Sequence, residues 1–149
     1  MRFYLDEDPV EVVAMAGASG MGEGVEDSVM SVWTMPSGTM VQAHESFTHP
    51  FAGSGVEVHG TEGSIFGRGI MTQKPTGELE LVDGSGRRTI PYETHDLYAR
   101  SLGLFSEAAA GRGRPSADGV DGVKSLAVAM AVREAARTGR AVRVGYEGL

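Results

Sequence analysis

The hydrophobic period of this chain changes once, and that change limits what it can fold into. Up to about residue 90, apolar residues alternate in short runs broken by Gly, Pro, Asp and Ser; from Thr94 onward they recur every three to four positions. Strands first and helices afterwards mean an α+β fold with an antiparallel-rich sheet. We therefore expect a predominantly antiparallel, open-faced β-sheet with two C-terminal helices packed on one face. The 22 glycines supply the tight turns such a sheet needs.

Residues 1–8 read as the last turn of a helix, ended by Pro9, which disfavours helix at Asp8. Val10 to Ala16 alternates as a first strand, and Gly17 to Gly24 is a loop. Asp27 to Met35 and Thr39 to Thr48 form a hairpin across Pro36-Ser37-Gly38. Gly55 to His59 and Ser64 to Ile70 are joined at Gly60-Thr61-Glu62-Gly63, where Gly63 is expected to hold a positive φ. Leu79 to Val82 and Arg87 to Ile90 flank a second hairpin turn, Asp83-Gly84-Ser85-Gly86.

In the stretch 94–110, Leu97, Leu104, Phe105 and Ala108 share a helix face, with Thr94 as the expected N-cap. A second helix spans about 121–138, capped by Asp121. Val123, Leu126, Ala127, Met130 and Ala131 lie on its apolar face, and Gly139 closes it. Ala141 to Val144 is a last short strand. With no repeat or linker visible, residues 1–149 read as a single domain, long enough for one core.

The first hairpin adds a constraint. Val29, Ser31, Trp33 and Met35 point one way, Met30, Val32 and Thr34 the other, so both faces are apolar. Two helices cannot cover both faces, so a partner is expected: a second copy or a further domain. We expect self-association through the face bearing Val29, Trp33 and Met35 or through its opposite.

A net charge of −7 argues against nucleic acid, whose phosphates need a basic surface. No cysteine is present, which removes disulfides, thiolate metal sites and cysteine nucleophiles. No apolar run approaches the roughly 20 residues that span a bilayer, and the acidic start is no signal peptide; a cytoplasmic location is the expectation.

Three of the four histidines and two of the five phenylalanines crowd into residues 44–59. His44 and Glu45 are strand neighbours whose side chains face opposite ways, so they form no side-by-side acid-base pair. His44 shares a face with Met40 and Gln42, from which it can reach a ligand or pair across strands, and the cross-strand pairing is the favoured reading. Phe47, His49 and Phe51 lie where the strand leaves the sheet. Rings and imidazoles there suit a sugar, the ring covering its apolar face and the nitrogens binding its hydroxyls, or they are a solvated His and an anchoring Phe. His59 shares a face with Glu57 and reads as a polar cross-strand pair. A metal site from His44, His49 and His59 lacks tight ligand spacing. No nucleophile elbow supports a serine triad, and His95 reads as a surface residue near the start of the first long helix. The loop Gly17-Ala18-Ser19-Gly20-Met21-Gly22 has a phosphate-loop look, but a strand follows it where a helix should, so it reads as a hairpin loop.

Six segments in order resemble the C-terminal domain of the Gfo/Idh/MocA oxidoreductases, the glucose-fructose oxidoreductase and inositol dehydrogenase family. They are Asp8 to Val12, Glu26-Asp27-Ser28, Ser37-Gly38-Thr39, Val56 to Ile65, Asp118-Gly119 through Asp121-Gly122 to Ser125-Leu126, and Glu134 to Val144. The stretch His44 to Phe51 is most similar to the branch containing 1,5-anhydro-D-fructose reductase-like enzymes. The resemblance implies a sheet domain that lines a sugar site with one end and builds homo-oligomers with its open face, following an N-terminal dinucleotide-binding domain. It implies NAD or NADP for a full-length relative. No cofactor is expected in this chain, which has no glycine fingerprint opening a helix and no Glu-Lys-Pro motif. The helix with the family's catalytic Asp and His is expected ahead of Met1, so no catalytic residue is named here. We expect an inactive substrate-wall and oligomerisation domain, a truncated product or expressed fragment, with Phe47, His49 and Phe51 on the substrate wall. The rival expectations are a free-standing dimerisation or regulatory module that binds family members through its open sheet, and an independent small-molecule enzyme using the histidines.

Overall fold

A computed structural model describes residues 1–21 and 24–147. Its elements are α1 (Arg2–Leu5), β1 (Glu11–Gly17), β2 (Ser28–Thr34), β3 (Met40–Ser46), β4 (Gly55–His59), β5 (Gly63–Arg68), β6 (Glu78–Asp83), β7 (Gly86–Thr89), α2 (Leu97–Ala109), α3 (Gly119–Thr138) and β8 (Val142–Arg143). The chain divides into two compact units, Met1–Pro50 with Ala117–Leu149, and Phe51–Ser116. The class is α+β and every strand pairing is antiparallel. The strands form two four-stranded sheets where the sequence reading joins them in one. The segment between β3 and β4 contains Pro50, which has no N–H to donate, and no ladder crosses it.

The first unit holds the sheet in the order β3-β2-β1-β8. Register places Val12 beside Trp33 and Trp33 beside Val41, so alternate residues of three strands form one inward face. α3 packs on it through Val128, Ala131 and Ala135, which with Val12 and Val144 make the buried core. This corrects the expected apolar face of that helix. Ala127 and Ala131 do face the core, but Val123, Leu126 and Met130 are exposed. Small residues at the contact let the helix axis approach the strands, and the bulkier side chains are left outside.

The caps also differ. α2 is capped by Asp96, not Thr94, its carboxylate accepting from the Ala99 amide at 2.9 Å. α3 is capped by Asp118, and Asp121 is the reciprocal partner three residues on, each carboxylate accepting from the other's amide at 3.0 Å. Gly139 closes α3 in the left-handed conformation, as expected. α1 ends at Leu5, where Asp6 turns left-handed (φ 51°), before Pro9 is reached. Asp8 then ties the N-terminal segment to α3, meeting Arg2 Nε and Lys124 Nζ at 2.5 Å each.

The second unit is a meander, β4-β5-β6-β7, together with α2. No residue of α2 is buried. Gly63 lies in β5 opposite Asp83 and its φ is not positive, contrary to expectation. Glycine is needed there for another reason: a Cβ would sit 2.9 Å from the Val82 carbonyl oxygen and 3.2 Å from Asp83 Cβ. Gly55 is tighter still, since a Cβ there would run into the Gly67 carbonyl.

Candidate functional site

The first sheet has one covered face and one open face. On the open face, register aligns Met15, Met30 and His44 in one row and Val13, Val32 and Gln42 in the next, with Met40 beyond. Met15 is 79% exposed, Met40 76% and Met30 57%. The sequence left open which face of the hairpin lacks cover; it is the face of Met30 and Val32, opposite Trp33.

His44 lies on this open face, and the His49 ring meets it edge-on at 5.6 Å between centroids. Neither imidazole has a hydrogen-bond partner among the described residues. Glu45 faces the other way, paired with Val29, so strand alternation correctly separated it from His44. Two imidazoles without a carboxylate can present nitrogens to a ligand, but nothing fixes their tautomers for proton transfer.

Phe47 is 80% exposed, held by its backbone amide on the Asp27 carbonyl at 3.0 Å. Phe51 is fully exposed and opens the second unit, while Phe47 and His49 belong to the first. His59, in the second unit, is an exposed polar cross-strand residue as the sequence suggests. Its Nε2 lies 3.4 Å from Glu57 and its Nδ1 2.9 Å from the Ser64 hydroxyl. Beside it, Arg68 and Arg87 both bind Glu80 and place their guanidinium carbons 5.8 and 5.6 Å from the Phe66 ring centre. The Arg68 bond, with support from Arg87, holds the Glu80 carboxyl below its usual range. These opposite charges satisfy each other, so the ladder is a solvated sheet face. Among the described residues no three His, Asp or Glu side chains are grouped to hold a metal.

Sequence reasoning missed the part played by Asp27, although its place at a strand entry beside a Ser- and Gly-rich loop was a usable signal. Asp27 is buried, 4% exposed. Its Oδ2 accepts from the Ser19 amide at 2.8 Å, the Ser19 hydroxyl at 2.9 Å and the Met21 amide at 3.3 Å. Burial works against the charge, but these donors outweigh it and hold the carboxyl below its ordinary value.

The same geometry decides whether the glycine loop suits a nicotinamide dinucleotide. A diphosphate needs free amides at a helix N-terminus. This loop leads from β1 into β2, and the Ser19 and Met21 amides are already taken by Asp27. The N-termini of α2 and α3 are occupied by the carboxylates of Asp96 and Asp118. None of these places fits the diphosphate.

Comparison with known proteins agrees with the sheet-and-helix order. Residues 1–66 match the GFO/IDH/MocA C-terminal domain. Over 145 residues, 97% of the chain, it is 48% identical to a 1,5-anhydro-D-fructose reductase of Ensifer adhaerens. The chain is thus similar to a Gfo/Idh/MocA C-terminal domain. It spans 44% of that reductase, so less than half the relative's length is represented. Among solved structures, the chain resembles an aldose-aldose oxidoreductase from Caulobacter crescentus complexed with glycerol (TM-score 0.82, 24% identity, 95% of this chain and 43% of that one). It also resembles an oxidoreductase from Agrobacterium radiobacter in complex with NAD+, L-tartaric acid and magnesium (TM-score 0.75, 20% identity, 97% and 45%). At these identities the structural likeness speaks for the fold.

Proposed function

We propose that this domain supplies a substrate-facing wall and a self-association surface to an NAD(P)-dependent sugar or polyol oxidoreductase of the cytoplasm, and that the 149 residues alone catalyse no turnover. The observation that carries this reading is the 48% identity across 97% of the chain to a reductase named for an anhydro sugar. Phe47, His49 and Phe51 are the proposed wall residues: all three are exposed, and they offer aromatic faces and ring nitrogens to hydroxyl groups. The open face of Met15, Met30, Met40, Val13 and Val32 supports homo-oligomer formation, because so much exposed apolar sheet favours pairing.

Two measurements test the proposal. Purified chain supplied with NADPH or NADH and 1,5-anhydro-D-fructose is expected to leave the cofactor unoxidised, and turnover would sink the claim of inactivity. Grafting Phe47→Ala and His49→Ala onto the equivalent positions of a full-length relative is expected to raise KM for the sugar. An unchanged KM would remove these residues from the wall. The open face serves equally well for a free-standing module that binds longer relatives. Mixing the chain with such a relative and looking for hetero-oligomers by native mass spectrometry separates the two readings.

A further inference from the structure

At the β3 edge of the first sheet, the open face gathers imidazole and thioether groups with no carboxylate among them. The His49 ring meets that of His44 edge-on at 5.6 Å between centroids. Two imidazoles that bind one ion at about 2 Å, roughly 110–180° apart, hold their ring centres about 5–6.5 Å from each other. The observed separation falls inside that range. A short turn keeps His49 folded back beside the strand. The Phe47 amide donates to the Asp27 carbonyl at 3.0 Å and the Thr48 amide to the Ser46 hydroxyl at 3.1 Å. The Ser46 and Thr48 hydroxyls are bonded to each other, whereas neither imidazole has a partner among the described residues.

The register supplies a third ligand. Met30 stands directly opposite His44, and Met15 opposite Met30, all three on the open face. Directly opposed residues hold their Cβ atoms about 4.5–5.5 Å apart, so a sulfur two bonds beyond its Cβ can reach an ion held by the imidazole. Met30 is exposed, so no core packing holds its thioether elsewhere. Glu45 points to the other face. The set is therefore two neutral nitrogens and one soft sulfur. Magnesium and calcium need oxygen ligands, and zinc would find here only two of the nitrogen or oxygen ligands it requires. Thioethers select copper(I), for which imidazole is also a good ligand.

We propose that His44, His49 and Met30 bind one copper(I) ion per chain, with Met15 as the next thioether in the row. Each imidazole coordinates through one nitrogen and keeps the other for a hydrogen bond, so His49 can hold the ion and still meet a hydroxyl. The proposal does not depend on the sugar oxidoreductase reading.

The probe is copper(I) itself, held without oxygen as its coloured bicinchoninate complex and titrated with the full 149-residue chain. Expected is the withdrawal of one equivalent of copper(I) per chain, read as loss of that colour. His44→Ala and His49→Ala should each weaken binding at least about tenfold, while His59→Ala and His95→Ala should leave it unchanged. Met30→Leu, which keeps an apolar side chain of similar size, should weaken it about tenfold as well. All five positions are exposed, so the core is left intact. Silver(I), a diamagnetic stand-in, gives a second readout: it should shift the Met30 methyl resonance together with the ring protons of His44 and His49. No withdrawal of copper(I), or equal withdrawal by the His44→Ala/His49→Ala double variant, would overturn the proposal. Unchanged affinity in Met30→Leu, or tighter binding of zinc than of copper(I), would remove the thioether and with it the choice of metal. Half an equivalent per chain would place the ion between two copies, which also overturns it.

Discussion

Asp27 sits at the entry to β2 with its carboxylate turned back on Ser19 and Met21, so one charged group holds both residues. Its native pKa lies below the ordinary 3.8. Such a group adds stability above its unfolded pKa and loses it as pH falls through the lower native value. Urea unfolding followed from neutrality down to about pH 3 should therefore show a decline below about pH 4 that is shallower in Asp27→Asn. An identical slope in the variant would remove Asp27 from the loop. Gly63→Val should destabilise the protein by about 1–3 kcal/mol through collision with the Val82 carbonyl, read as a lower urea midpoint. That Gly63 matters was legible from the sequence; the reason was not, because the clash arises across the strand pair with Asp83 and alternation along one strand does not reveal its neighbour. The histidines behaved the other way. Period-two alternation alone separated His44 from Glu45 and joined His59 to Glu57, and both relations hold.

The existence, order and type of the elements followed from periodicity and turn chemistry, while the ends and faces of the helices did not. Asp118 and Asp121 are both competent caps, and only the backbone shows that they cap reciprocally. Asp118→Ala should cost about 1 kcal/mol and shift the urea midpoint accordingly. A loss no larger than that of an exposed mid-helix substitution would show the box to be idle. For the buried face, hydrophobicity favoured Leu126 and Met130, but the close approach of α3 to β1 selects Ala131 and Ala135, the latter wholly buried. Ala135→Leu is thus expected to destabilise by about 1–3 kcal/mol, whereas Met130→Ala should stay within about 0.5 kcal/mol. Thermal melts of the pair would reverse the assigned face if the order were opposite.

For the whole molecule, hairpin signals reveal which neighbouring strands pair but not which hairpins share a sheet, and so the division into two sheets was hidden. The division has an energetic side. Every buried hydrophobic side chain of the core, from Val12 to Val144, lies in the first unit. Amides of β4–β7 are expected to exchange with solvent through smaller openings than those of β1–β3, measurable by native-state hydrogen exchange. Equal protection would show one cooperative structure. The open face makes its own prediction: Met30→Glu should shift sedimentation at micromolar concentration toward the monomer, and a wild-type chain already monomeric would refute the surface.

The two-residue strand β8 closes the first sheet against β1, with the Val144 amide on the Val10 carbonyl and the Tyr146 hydroxyl on that of Pro9. More than 120 residues separate these partners, and the second unit is threaded between them. On a ribosome, the hairpins of both units can form as soon as they emerge. The core around Val12 waits for α3 and β8, which are made only after the second unit. During that wait the inward face of β1 and β2 stands exposed, Trp33 included, and that is the interval in which a chaperone would find the most to hold.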